Sequence, residues 1–87
     1  MRDPLYQKIT QFPEGYSTGE FRGKRYGISR QTFNEGKSEK VYAEELGGTD
    51  FISLNYYLTS SKDLLHPCEM PASKVREFLN EVRLLDE

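Results

Sequence analysis

The sequence predicts an α+β domain in which an antiparallel β-meander of four to five strands packs against one C-terminal amphipathic helix. Two patterns predict this fold. Residues 16–69 show short polar–apolar alternations broken by turn residues roughly every 8–12 positions, which is typical of successive antiparallel strands. Residues 71–85 carry one apolar stripe at helical spacing. The 87 residues therefore form a single domain with a lead-in segment over 1–14.

Within the meander, one segment fits two secondary structures. Lys40–Leu46 is rich in Ala, Glu, Lys and Leu, which favour a helix. Val41 and Leu46 do not share a helical stripe, however, so the alternation favours a strand. The predicted strands are Tyr16–Arg22, Lys24–Phe33, Lys40–Leu46, Phe51–Thr59 and Leu64–Glu69, with a hairpin loop over Asn34–Lys37.

The C-terminal helix is predicted over Pro71–Leu85. Proline is tolerated in the first turn because its missing N–H has no intrahelical partner there. An amphipathic helix and a sheet with one apolar face bury each other, which predicts two layers; the sequence leaves open which sheet face the helix covers. The members of the apolar stripe are Val75, Phe78, Leu79, Val82 and Leu85.

Composition limits the classes of function. The chain has a formal net charge of −2, one cysteine and no tryptophan. A single cysteine excludes an intramolecular disulfide, and no metal-ligand spacing is present, so we expect neither a metal site nor a cofactor. No apolar run is long enough to cross a membrane, and we expect a cytoplasmic protein. Because so small a domain buries little surface, a homodimer would add stability. The outward member of the Tyr56–Tyr57 pair suits such a contact.

A basic and aromatic stretch is the first candidate site. Residues 21–40 carry six Lys/Arg against two Glu. Cationic side chains bind phosphates, and unpaired bases stack on exposed aromatic rings, so this stretch predicts a surface for single-stranded nucleic acid. The alternative is that the aromatics are core residues and the cations only keep a hairpin soluble. The candidate residues are Arg22, Lys24, Arg25, Tyr26, Arg30 and Phe33.

The only cysteine and the only histidine form the second candidate site. Cys68 shortly precedes the predicted helix, where the helix dipole favours a thiolate. His66 lies two residues away and would share a strand face with Cys68, so its imidazole could support a catalytic thiol. The alternative is that Cys68 is a small buried hydrophobic residue.

Four segments resemble a group of small bacterial proteins, some of which are called peptide methionine sulfoxide reductase. They are FRGKRYG (21–27), AEELGG (43–48), ISLNY (52–56) and PCEMPASKV (67–75). The resemblance implies thiol-dependent redox chemistry at Cys68. The chain departs from the A-type reductases, whose Gly-Cys-Phe-Trp motif it lacks, and from the B-type reductases, which need paired CxxC zinc ligands. The order of a meander and one helix is also similar to whirly-type and coactivator-type domains, which bind single-stranded DNA.

The sequence thus predicts a non-catalytic binding domain. Its partner is a second copy of the chain, another protein or single-stranded nucleic acid, and no membrane is involved. The alternative is a thiol-dependent redox enzyme that uses Cys68.

Overall fold

The computed structural model describes residues 4–85. A six-stranded antiparallel sheet forms one layer, with strand order β5-β4-β3-β2-β1-β6. Strands β1 to β5 make the meander, and β6 adds to the free edge of β1. The elements are α1 (Pro4–Thr10), β1 (Gly15–Phe21), β2 (Lys24–Phe33), β3 (Ser38–Glu45), β4 (Phe51–Leu58), β5 (Asp63–Pro67), α2 (Ala72–Glu81) and β6 (Arg83–Leu84).

This architecture confirms the predicted α+β class and resolves the ambiguous segment. Of the segment Lys40–Leu46, all residues except Leu46 lie in β3, which pairs with β2 on one side and with β4 on the other. The tertiary context therefore overrides the helix propensity of its Ala, Glu and Lys residues. Between Pro4 and Leu85, neither helix is long and apolar enough to cross a membrane.

Both helices cover the same face of the sheet. In α1, Tyr6 packs on Tyr56 of β4 with ring centroids 6.4 Å apart. In α2, Phe78 makes edge contacts with Phe21 and Tyr26 at 5.1 and 5.4 Å. Such edge-on aromatic pairs stabilise a core beyond the area that they bury. The core between the sheet and the helices consists of Leu5, Ile9, Phe12, Phe21, Tyr26, Ile28, Val41, Ala43, Ile52, Leu54, Tyr56, Val75, Phe78, Leu79 and Val82.

The β1–β2 connection is a two-residue hairpin turn. Arg22 and Gly23 both have positive φ, 54° and 81°, as a type I′ turn requires. Arg22 has a Cβ in this left-handed conformation, and its guanidinium donates two hydrogen bonds to Glu81 at 2.9 and 3.0 Å. The turn is thereby joined to the last residue of α2.

The two ends of the chain differ from the prediction. The lead-in contains the helix α1, which the sequence did not indicate. The helix predicted over Pro71–Leu85 ends at Glu81, because Val82 is extended and Arg83–Leu84 pairs with β1. The close approach of Val82 and Arg83 to β1 requires a glycine at position 19. A Cβ at Gly19 would lie 3.0 Å from Val82 and 3.1 Å from the Arg83 carbonyl oxygen.

A buried ion pair holds α1 against the sheet. Arg30 of β2 makes two hydrogen bonds to the buried carboxylate of Glu39, at 3.0 and 3.3 Å. A third bond, 2.8 Å long, goes from Arg30 to the carbonyl oxygen of Phe12, just beyond α1. Thr32 donates a further hydrogen bond to Glu39 at 2.9 Å. The Arg30 guanidinium is therefore a structural group.

We expect Arg30→Met to lower the free energy of unfolding by about 3 kcal/mol, because it leaves the Glu39 carboxylate buried without its cation. The double variant R30M/E39M should recover most of this loss, since replacing both partners of a buried pair is often nearly neutral. Urea unfolding of both variants, with the exposed Lys37→Met as control, measures the difference. A loss within about 0.5 kcal/mol for Arg30→Met would contradict the structural role.

Candidate functional site: the open face of the sheet

The sheet face that points away from both helices carries the candidate site. Side chains alternate between the two faces of a strand, so each strand contributes every second residue to it. No other element between Pro4 and Leu85 covers this face. We call it the open face, and its members on the five long strands are Tyr16, Thr18, Glu20, Arg25, Gly27, Ser29, Gln31, Phe33, Ser38, Lys40, Tyr42, Glu44, Phe51, Ser53, Asn55, Tyr57, Leu64 and His66.

Aromatic side chains dominate the open face. Tyr16 is 63% exposed, Phe33 46%, Tyr42 40% and Tyr57 38%. Tyr42 stacks on Phe51 with centroids 6.2 Å apart, which holds both rings in place. An exposed aromatic patch of this kind marks an interaction site more often than an isolated apolar residue does.

A glycine makes room for the most exposed of these rings. Tyr16 reaches across to Gly27 on β2, and a Cβ at Gly27 would collide with the Tyr16 hydroxyl. The ring thus lies against the backbone of the neighbouring strand. Sequence reasoning did not select Tyr16 or Tyr42, although the strict alternation within β1 and β3 places both of them opposite the core residues Phe21 and Val41.

The strand register arranges the open face in transverse rows. Tyr16, Ser29, Tyr42 and Ser53 stand side by side on β1, β2, β3 and β4. On β3, Lys40 precedes Tyr42 by two residues and Glu44 follows it by two. Opposite charges therefore flank the central tyrosine on the middle of the sheet.

The structure does not bring the predicted nucleic-acid residues together. Tyr26 is only 2% exposed and belongs to the core, and Arg30 is held by Glu39 on the same inner face. Arg22 lies in the hairpin turn, where its hydrogen bonds to Glu81 raise its pKa. These three side chains are thus occupied by contacts within the chain, which fits the core alternative for Tyr26.

The other three predicted residues lie outside the core. Lys24 is 3.8 Å from the carboxylate of Glu45. Arg25 and Phe33 are exposed members of the open face, at opposite ends of β2. Of the predicted set, only Arg25 and Phe33 therefore belong to a common accessible surface.

Cys68 and His66 are placed near the β5 edge of the same face. The half-buried Cys68 accepts a hydrogen bond from the Asn55 side-chain amide, with 3.5 Å between Nδ2 and Sγ. The His66 ring packs edge-on against Tyr57, with centroids 5.3 Å apart. Among residues 4–85 the thiol has no hydrogen bond to the imidazole; its partner is Asn55. The thiol-enzyme hypothesis stays a prediction.

Two depressions lie at the margins of the sheet. One of about 380 Å³ lies at the β1 edge and is lined by Tyr16, Ser17, Thr18 and Leu85. A larger one, of about 620 Å³, lies beside the β4–β5 turn. Neither contains His66 or Cys68, and residues 4–85 hold no cluster of three His, Cys, Asp or Glu side chains that could bind a metal ion.

Asp50, Lys74 and Tyr26 form a small polar network at the edge of the core, next to Phe51. Asp50 accepts hydrogen bonds from Lys74 at 2.6 Å and from the Tyr26 hydroxyl at 2.9 Å. The Lys74 ammonium chiefly holds the pKa of Asp50 below its ordinary value. Burial, followed by the hydrogen bond to Asp50, raises the pKa of Tyr26. The network therefore connects β2, β4 and α2 and serves the fold.

No protein-family model, curated protein or solved structure matches the chain. The resemblance to small bacterial proteins stays a prediction, and the functional argument rests on the geometry of the open face.

We expect Asp50→Asn to lower the free energy of unfolding by about 1 kcal/mol near pH 7, a modest loss because the Asp50–Lys74 pair is partly solvent-exposed. Since the folded-state pKa of Asp50 is lowered, its charged form stabilises the fold above its unfolded pKa of about 4, and this contribution is lost as the pH falls through the folded pKa. The difference between the wild type and Asp50→Asn should therefore shrink on acidification.

Thermal unfolding between pH 2 and pH 7 measures this difference, and Glu14→Gln, an exposed carboxylate in the lead-in, is the control. A difference that stays constant over this range would contradict the assignment.

Proposed function

We propose that this protein is a non-catalytic binding domain that recognises a protein partner through the open face of its sheet. The observation that carries the proposal is the exposure of four aromatic side chains on the one sheet face that the helices leave uncovered. Such a face is a preformed surface, because the sheet and the core beneath it fix the backbone under every ring.

The chemistry of the open face suits a protein partner. Tyrosine is enriched at protein interfaces because it has an apolar body, a polar tip and few rotatable bonds. Serine, glutamine and asparagine side chains lie between the rings and supply hydrogen-bonding groups, as Ser29, Gln31 and Asn55 do. Apolar and polar groups thus alternate over the surface as they do across ordinary protein interfaces.

The charge distribution favours a protein over single-stranded nucleic acid. Arg22, Lys24 and Arg30 each face a carboxylate of the chain, so half of the cations in residues 21–40 are neutralised. The open face also carries both signs of charge. Arg25 lies opposite Glu20 on β1, which pairs with Arg83. Lys40 and Glu44 both lie on β3. A nucleic-acid surface depends on several cations that can replace phosphate counterions, and this balanced face offers few of them.

The proposal is tested by removing the aromatic rings. The triple variant Y16S/F33S/Y42S removes three aromatic rings from the open face. It changes no core residue, so we expect the variant to fold. Wild-type and variant proteins are immobilised and exposed to a lysate of the source cells, and the retained proteins are identified by mass spectrometry. Each retained protein is then purified and titrated into the ¹⁵N-labelled chain.

We expect a protein that is retained by the wild type, is lost with the triple variant and shifts amide resonances of the open face. Circular dichroism establishes that the variant is folded, and R76A/N80A on the exposed side of α2 is the matched control. Equal retention by wild type and triple variant, or resonance shifts confined to α1 and α2, would contradict the proposal. So would binding of a fluorescent 20-nucleotide single strand with a Kd below about 1 μM at physiological salt, since nonspecific binding lies at about 10⁻⁴ to 10⁻⁶ M.

A further inference from the structure

We infer that the open face pairs with the open face of a second copy of this chain, about a two-fold axis that runs along the row Tyr16–Ser29–Tyr42–Ser53. This inference rests on the proposed function and names the partner of the same surface. The charges and rings on one side of that row complement those on the other side, so two copies of the face can match each other.

The geometry of the pairing follows from the register. Two sheets that pack face to face lie about 10 Å apart, with strand directions within about 30° of each other. A two-fold axis that lies between the two sheets and runs perpendicular to the strands places each strand opposite the same strand of the second copy. The two copies of the strand then run in opposite directions. With the axis on the Tyr42 row, a residue n positions before the row meets the residue n positions after it. Tyr42 then meets Tyr42 of the second copy.

This operation pairs the opposite charges of β3. Lys40 and Glu44 each lie about 7 Å from Tyr42 along the strand, at about 3.4 Å per residue. The rotation therefore brings Lys40 of one copy opposite Glu44 of the other, and the symmetry repeats the contact. Among residues 4–85 neither side chain has an ion-pair partner within its own copy. An axis along β3 would instead place Lys40 against Lys40 and Glu44 against Glu44.

The neighbouring strand fits the same axis. On β2, Arg25 and Phe33 lie four residues before and after Ser29, which is on the axis. The rotation brings the Arg25 guanidinium towards the exposed Phe33 ring of the second copy, a cation–π contact. Gln31 likewise meets the Tyr16 ring, which lies over Gly27. The Lys40–Glu44 and Arg25–Phe33 pairings use side chains that residues 4–85 leave accessible.

The area of the face sets the expected affinity. Five strands of 5–10 residues and the two-residue β6 together span roughly 650 Å², at about 4.8 Å between strands and about 3.4 Å per residue. A standard protein interface buries about 800 Å² on each partner, and smaller ones belong to weak or transient complexes. We therefore expect a reversible dimer with a dissociation constant of roughly 1–100 μM, so that monomer and dimer coexist at ordinary concentrations.

Sedimentation velocity over 5–500 μM tests the inference with charge-reversed variants. Lys40→Glu puts two carboxylates together across the axis, and Glu44→Lys puts two ammonium groups together. Each should raise the dissociation constant at least about tenfold. In an equimolar mixture of the two variants every cross-copy pair is again Glu against Lys, so the mixture should form a heterodimer. Lys62→Glu, in the β4–β5 turn, is the control with the same charge change.

Three results would overturn the inference. The first is a wild type that stays monomeric up to 500 μM. The second is a dimer whose dissociation constant is unaffected by Lys40→Glu and Glu44→Lys. The third is a mixture of the two variants that fails to restore association. Circular dichroism of each variant separates loss of pairing from loss of folding. A monomeric wild type would remove the second copy as partner, whereas the binding-domain proposal is overturned by the separate outcomes of the capture, resonance-shift and single-strand experiments.

Discussion

The structure depends on the burial of one face of the sheet by both helices. Because side chains alternate along a strand, β2, β3 and β4 place their aliphatic core residues on that face, and the helices cover it. The chain between Pro4 and Leu85 has no third layer for the opposite face. Every aromatic residue on that opposite side is therefore left to solvent or to a partner. The asymmetry of the core thus produces the surface from which we argue function.

Ion pairs decide what that surface can recognise. Arg30 forms an ion pair with Glu39 and donates a hydrogen bond to the Phe12 carbonyl oxygen. Arg22 forms an ion pair with Glu81. A stretch that is basic in the sequence is consequently close to neutral in the fold. On the open face, Lys40 and Glu44 are spaced symmetrically about the Tyr42 row. A polyanion gains little from this arrangement, whereas a second copy of the same face satisfies both signs.

The sequence predicted the parts of the fold that depend on local pattern. The bounds of β2 agree with the prediction. The alternation placed Ile52, Leu54 and Tyr56 together on one face of β4, and the structure shows that this face is the buried one. The end of α2 was wrong because Val82 continues the apolar stripe of the helix, and only the pairing of the following residues with Gly19 draws the chain into β6. Arg30 was misread for a related reason, since its partner Glu39 is brought close by the β2–β3 register. Period-two alternation with Ile28 was the one signal that placed Arg30 inside.

Hydroxyl-radical footprinting at increasing protein concentration tests the account most directly, because it reports which face becomes covered. We predict that Tyr16, Phe33 and Tyr42 become protected together as the concentration rises from about 1 to 500 μM, a range that spans a weak dimer. Tyr6, half-buried in α1, should react at a constant rate. Protection of the helical side instead, or unchanged reactivity of all four residues, would contradict the open face as the binding surface for a second copy.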